Sequence, residues 1–297
     1  MGSPDFALPS LRFLAESFNV VGVITQPDRP AGRGRMLTPP PVKILAEELG
    51  LPVFQPEKLR TPEAFERLAA WKPDLIVVTA YGQILRQNVL SLPELGCINV
   101  HASLLPRWRG AAPIQAAILH GDQTTGVTIM KMDAGVDTGD MLASREVEIQ
   151  PDETAGQLSD RLAELGGKLL VEILPEYLKG TLQAVPQPSE GATYASLISK
   201  EEGKLDFSNP AIQLQRKVRA FNPWPSAFME WQGGLMKIHR ATVSNSPGFI
   251  PERRAIIDGC PAVGTNEGWL VLQELQPAGK KPMSGKVFLT GARNWAD

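Results

Sequence analysis

Short apolar runs alternate with helically spaced apolar positions through the first half of this 297-residue chain. Val20–Thr25 is rich in β-branched residues and predicts a strand. Pro27, Pro30, Gly32, Gly34 and Pro39–Pro41 interrupt any regular element after it and predict a loop. Val42–Gly50 follows as a helix closed by its glycine, Leu51–Phe54 as a short strand and Glu63–Trp71 as a second helix. Asp74–Ala80 is apolar almost throughout, the pattern of a strand buried on both faces. Gly96–Val100 predicts the next strand, Ala112–His120 a helix and Gly126–Met132 another strand. Strand–helix–strand alternation predicts an α/β fold with a doubly wound sheet, in which ligands bind at the carboxyl ends of the strands.

The pattern then changes twice. Leu158, Leu162, Leu165, Leu169 and Ile173 recur at three- and four-residue steps, so 153–179 reads as one long helix. Residues 180–199 are rich in Pro, Gly, Ser and Gln and read as a linker. From about 200 onward one helix, Ala211–Phe221, precedes short strands separated by Gly and Pro, the texture of a small β-barrel domain. The expected organisation is therefore a catalytic domain over 1–179, a linker over 180–199 and a β-barrel domain over 200–297.

Composition narrows the class. No apolar run reaches the roughly 18 residues a membrane span needs. The start lacks a secretory signal pattern. Cys97 and Cys260 are far apart and outside any metal-type spacing. A cytoplasmic protein with reduced core cysteines and no metal is the expectation. The net charge is -2, but it is unevenly divided: residues 1–199 carry 17 basic against 23 acidic side chains, and residues 200–297 carry 13 against 9. A basic second half on an acidic body is one footprint of RNA binding, and uneven surface charge is the alternative.

The candidate chemistry lies where strand 96–100 meets the loop Ala102–Pro106. Alternation puts Asn99 and His101 on one face of a strand end, and His101 is one of only three histidines. Asp137 follows strand 126–132, at a strand carboxyl end, in a loop that Gly135 and Gly139 allow to be tight. An amide and an imidazole aimed at one point can stabilise an oxyanion, and a carboxylate beside them can orient the imidazole or take a proton from an attacking amine. Neither a Ser nor a Cys is placed beside a base, so direct acyl transfer to an amine fits better than a covalent route.

These residues sit in motifs that resemble one family. Asn99-Val-His-Ala-Ser-Leu-Leu-Pro106, Arg107-Trp-Arg-Gly-Ala-Ala-Pro113 and Met132-Asp-Ala-Gly-Val-Asp-Thr-Gly-Asp140 are similar to motifs of the 10-formyltetrahydrofolate-dependent formyltransferases. Within it the chain looks most like the member that formylates a charged tRNA. Thr25–Gly34 resembles that member's loop insertion, and Arg219–Pro225 and Leu275–Lys281 resemble its C-terminal signatures. The resemblance implies a Rossmann-like formyltransferase domain followed by a partly open, OB-like C-terminal β-barrel. It also implies 10-formyltetrahydrofolate as donor and methionine on initiator tRNA as acceptor. Asn99 and His101 would hold the formyl oxygen, with Asp137 orienting His101. Ser103, Leu104, Leu105 and Pro106 would line the folate site, and Arg33 would contact the tRNA. The expected enzyme is a monomer. A formyltransferase acting on a nucleotide-linked amino sugar, or a non-catalytic RNA- or folate-binding module, would be the alternatives.

The resemblance further implies an apolar strand ahead of the Gly2–Phe6 turn, for which this sequence has no residues. The expectation is that this chain is truncated, with unpaired strand edges in the sheet and poor stability.

Overall fold

The computed structural model describes residues 1–31 and 36–296. In chain order its elements are α1 (Leu8–Ser17), β1 (Val23–Ile24), β2 (Arg29–Ala31), β3 (Met36–Thr38), α2 (Pro41–Glu48), β4 (Val53–Phe54), α3 (Pro62–Ala70), β5 (Ile76–Val78), α4 (Gln87–Leu90), β6 (Cys97–His101), β7 (Arg109–Gly110) and α5 (Pro113–His120). There follow β8 (Thr124–Lys131), β9 (Met141–Glu148), α6 (Ala155–Leu178), β10 (Tyr194–Ala195), α7 (Ala211–Ala220), β11 (Ala227–Trp231), β12 (Gly234–Ser244), β13 (Arg254–Ile257), β14 (Cys260–Gly264), β15 (Trp269–Pro277), β16 (Met283–Ser284) and α8 (Gly285–Gly291). The chain divides into two compact units. One contains residues 1–113, 124–148 and 159–195; the other contains 114–123, 149–158 and 196–297.

The first unit holds a four-stranded sheet in the order β5-β6-β8-β9 and a separate parallel pair, β1-β4. Only β5 and β6 run parallel in the larger sheet; β8 is antiparallel to both β6 and β9. The sheet is therefore mixed in strand direction, which the apolar runs alone do not specify. The reason for β8–β9 is connection length: the nine residues 132–140 can close a hairpin, whereas a parallel return needs a crossover of a dozen residues or more. β9 itself carries no long apolar run. Its residues alternate between covered and exposed, as expected of a strand wet on one face.

Met1 and Gly2 lie between the parallel pair and the four-stranded sheet. Gly2 N–H donates to the Ile24 carbonyl at 3.0 Å, and Thr79 N–H donates to the Met1 carbonyl at 2.8 Å. Beside them an apolar cavity of about 310 Å3 is lined by Leu11, Val23, Trp71, Ile76 and Val77 among others. The hydroxyls of Ser10 and Thr79 also border it and have no hydrogen-bond partner among the described residues.

The long amphipathic helix α6 covers the sheet through Gly166, where a Cβ would come within 2.7 Å of the Val100 side chain. Its neighbour Gly167 faces α1, where a Cβ would meet Phe13 at 2.9 Å. Two mid-helix glycines cost roughly 1 kcal/mol each in helix propensity; close packing on both sides is what the vacant positions allow. The core beneath β5 and β6 gathers Ile24, Leu68, Ile76, Val78, Tyr81 and Val89.

In the second unit β11-β12-β15-β14-β13 form an antiparallel sheet, and β16 adds to β15. No pairing joins β11 to β13 among the described residues, so the sheet is open. Its core is built on Leu214 and Val218 of α7, Ile238, Leu272 and Leu275 of the sheet, and Trp295. Trp295 packs edge-on to Phe288 at 5.6 Å between ring centres.

Candidate active site

Asn99 and His101 occupy alternate positions of β6, so the pleat sends both side chains to the same face. Asn99 is half-buried and His101 is buried, at 6% exposure. Asp137 meets both. Its Oδ1 accepts from Asn99 Nδ2 at 3.4 Å, and its Oδ2 stands 3.7 Å from His101 Nδ1. The first distance is at the limit of a hydrogen bond and the second is an ion-pair distance. The Asp137 carboxylate is anchored more tightly from elsewhere: Gly110 N–H donates to Oδ2 at 2.8 Å.

The other imidazole nitrogen fixes the tautomer. His101 Nε2 lies 2.9 Å from the Trp108 carbonyl, which can only accept. Nε2 therefore carries a hydrogen. Nδ1, the nitrogen facing Asp137, is a lone-pair acceptor in the neutral ring and a second donor in the imidazolium. The side chains thus place an amide donor, a switchable imidazole nitrogen and a carboxylate around one point.

Left-handed backbone occurs at the site: Trp108 and Asp137 have φ of 59° and 52°, beside Gly110 at 105°. Asp tolerates the left-handed region better than most residues, whereas a Trp there is a genuine outlier that its surroundings must hold. Trp108 is held by its N–H donating to Thr193 Oγ1 at 2.9 Å and by its carbonyl accepting from His101.

Asp137 reaches the site by a route that differs from the expected one. Sequence reasoning puts it at a strand carboxyl end beside that of β6. Because β8 is antiparallel, its carboxyl end lies beside the beginning of β6: Lys131 is paired with Ile98, and His101 with Thr128. The 132–140 loop must therefore fold back over about two residues of strand, some 7 Å, to bring Asp137 to Asn99 and His101. Asp133 closes the outer part of this loop, accepting from Gly135 N–H at 2.9 Å and from the Thr138 hydroxyl at 2.7 Å.

The loop after His101 is compact. Ser103 is fully buried, and its hydroxyl donates to the Arg107 carbonyl at 2.6 Å. Leu105 is buried, while Leu104 and Pro106 are half-buried and offer the surface that this loop presents. Thr128 fastens the loop to β8: its hydroxyl donates to the Ser103 carbonyl at 2.7 Å and accepts from Leu105 N–H at 3.1 Å. Arg33 lies outside the described residues.

Arg109 stands in a family motif without an assigned role, and three further residues important to this geometry carried no sequence signal: Thr128, Gln187 and Thr193. The last two come from the 180–199 segment expected to be a linker. That segment instead pairs with the unit's framework, Val185 with Met141, and Tyr194–Ala195 in parallel with Arg109–Gly110. No group of three or more His, Cys, Asp or Glu is arranged for a metal among the described residues.

Comparison with known proteins agrees with the motifs. Residues 10–174 match the formyl transferase family and residues 197–293 match the formyl transferase C-terminal domain. A methionyl-tRNA formyltransferase of Myxococcus xanthus is 53% identical over 294 residues, covering 98% of this chain and 93% of its own. One from Desulfotalea psychrophila is 50% identical, covering 100% and 93%. Among solved structures, a sugar 3N-formyl transferase determined with dTDP and 5-N-formyl-THF superposes with a TM-score of 0.68 at 17% identity, covering 94% of this chain and 97% of its own. That likeness is one of fold. The chain belongs to the formyl transferase family and stands with its methionyl-tRNA formyltransferases.

Proposed function

We propose that this enzyme transfers the formyl group of 10-formyltetrahydrofolate to the amino group of methionine on initiator tRNA. The observation that carries the reading is the convergence of Asn99, His101 and Asp137. The amine lone pair adds to the formyl carbon, and charge develops on the formyl oxygen. Asn99 Nδ2–H and protonated His101 Nδ1–H are the donors for that oxygen, each worth about 3 kcal/mol on the scale of other oxyanion holes. Asp137 accepts the proton that the amine loses. The carbon–nitrogen bond to the folate then breaks, and the proton taken by Asp137 passes to the leaving folate nitrogen, which returns the carboxylate to its starting state.

Leu104 and Pro106 supply the exposed part of the folate wall, with Ser103 and Leu105 holding its shape. The excess of four positive charges in residues 200–297 and the basic segment around Arg33 favour a phosphate-rich acceptor. Identity of about 50% to methionyl-tRNA formyltransferases over nearly the whole chain favours tRNA over the nucleotide-linked amino sugar. Asn99, His101 and Asp137 all belong to one chain, which fits action as a monomer. Both cysteines are free and buried, which fits the reducing cytoplasm.

The test is direct: protein, 10-formyltetrahydrofolate and charged initiator tRNA should yield formyl-methionyl-tRNA. Changing His101→Ala should lower turnover by about 100-fold or more while tRNA binding is retained. Absence of product from folded wild-type protein would overturn the reading. Formylation of a nucleotide-linked amino sugar in its place would transfer the reading to that substrate.

A further inference from the structure

The fold-back of the 132–140 loop needs something to hold it, and the structure supplies a specific clamp. Gln187 Nε2 donates to the Asp137 carbonyl at 2.8 Å and to the Gly139 carbonyl at 2.8 Å. One amide nitrogen thus uses both of its hydrogens on the two carbonyls that flank the turn. The orientation of that amide is itself fixed. Arg109 donates to Gln187 Oε1 from Nε at 3.0 Å and from Nη2 at 2.7 Å. A guanidinium cannot accept, so the oxygen must face Arg109 and the nitrogen must face the loop.

Arg109 is also the residue before Gly110, whose N–H holds the Asp137 carboxylate. The same short strand therefore grips Asp137 at both ends, the carboxylate through the Gly110 backbone and the main chain through Gln187. Asp137 keeps a φ of 52° between these two grips. A left-handed non-glycine residue persists where surrounding contacts over-determine it.

We infer that Gln187 is a positioning residue for formyl transfer: through the Asp137 and Gly139 carbonyls it sets where the Asp137 carboxylate stands relative to His101 and Asn99, and Arg109 sets Gln187. This rests on the roles proposed above for those three residues. It gives the 180–199 segment a part in the reaction although its own side chains do not touch the reacting atoms.

Gln187→Glu is the discriminating change. It is nearly isosteric and retains an oxygen for Arg109, but it donates to neither carbonyl. The expected result is a kcat lower by about tenfold or more, with the KM values of both substrates altered less than about threefold. In the double variant with Asp137→Ala the Gln187 change should have no further effect, because the group it positions is gone. A readout independent of substrate is the hydrogen-exchange rate of the Gly110 N–H, which holds the Asp137 carboxylate. It should rise in Gln187→Glu and should stay at the wild-type value in Glu190→Gln, a nearby exposed change in the same segment. An unmoved exchange rate with wild-type kcat would overturn the inference. A lowered melting temperature with both readouts unmoved would overturn it equally, since Gln187 would then be structural only. Wild-type protein that fails to formylate charged tRNA, with a Gly110 exchange rate that still rises in Gln187→Glu, would overturn the assigned reaction and leave the positioning geometry standing.

Discussion

Thr128→Val tests the framework of the site at a single atom. Thr128 is wholly buried in β8, opposite His101. Its hydroxyl serves the Ser103 carbonyl and Leu105 N–H, both in the loop that continues from β6. Valine has almost the same volume, so neither a cavity nor a clash is created. What changes is that a carbonyl and an N–H lose their partner where water has little access. Each buried orphan costs about 1–3 kcal/mol, and the added methyl group offsets roughly 0.8 kcal/mol. The expected net loss is about 1–5 kcal/mol, centred on about 3 kcal/mol, which for a unit of this size lowers the melting temperature by roughly 2–20 °C. Thr128→Ser supplies the decisive comparison. It keeps the hydroxyl and loses only a methyl, at a cost of about 1 kcal/mol. Calorimetry should therefore rank wild type above Ser, and Ser above Val. Packing alone predicts the reverse order for the two variants, so a Val variant as stable as the Ser variant would refute the reasoning. The donor's KM should rise in the Val variant, because the strained loop is the one assigned to the folate.

Two further outcomes follow from the same geometry. Gly110→Ala places a Cβ 2.6 Å from the Ala195 carbonyl at a residue with φ of 105°, so about 1–3 kcal/mol of stability and most of the activity should be lost. In Gly180→Ala, where φ is 71° and the space is open, activity should be normal; equal activity losses in the two variants would count against a role for the Gly110 N–H. Burial pushes the Tyr81 hydroxyl up to about 12 and the Cys97 thiol up to about 12, from ordinary values of 10 and 9. Both groups are neutral in the fold and ionise earlier in the unfolded chain, so their contribution is full below pH 9 and declines from pH 9 to 12. Urea midpoints should fall between pH 9 and 11, and Tyr81→Phe should flatten the part above pH 10; a flat wild-type profile would exclude this account.

Much of the fold could be read from local pattern, because local pattern is what decides it. The helix expected over 153–179 is observed as Ala155–Leu178, since a long amphipathic stripe has one way to be buried. The strands around 76 and 98 stand near their expected places because apolar, β-branched runs are short and bounded there. Strand direction was not legible, because an apolar run reads the same whichever way its neighbour points. β9 was missed for a related reason: Met141–Glu148 has the composition of a wet surface and becomes a strand by pairing with β8.

The candidate site shows the same division more sharply. Asn99 and His101 were visible because they stand two apart on one strand, and local periodicity alone brings them to one face. Asp137 was visible as a carboxylate in a glycine-containing loop, but the reason for placing it beside them, two coincident strand ends, does not hold in an antiparallel pair. Its position comes from partners far away in sequence. Gln187 is 50 residues from Asp137, and Arg109 is 78 residues from Gln187. A glutamine between two prolines in a Pro- and Ser-rich stretch has the composition of a linker, and only tertiary pairing converts it into a clamp. Asn99 and His101, two of the three groups proposed to meet the reacting atoms, are thus set by strand periodicity, whereas the residues that aim Asp137 depend on long-range contacts. Substitution of Gln187 should leave the motifs intact and still reduce turnover.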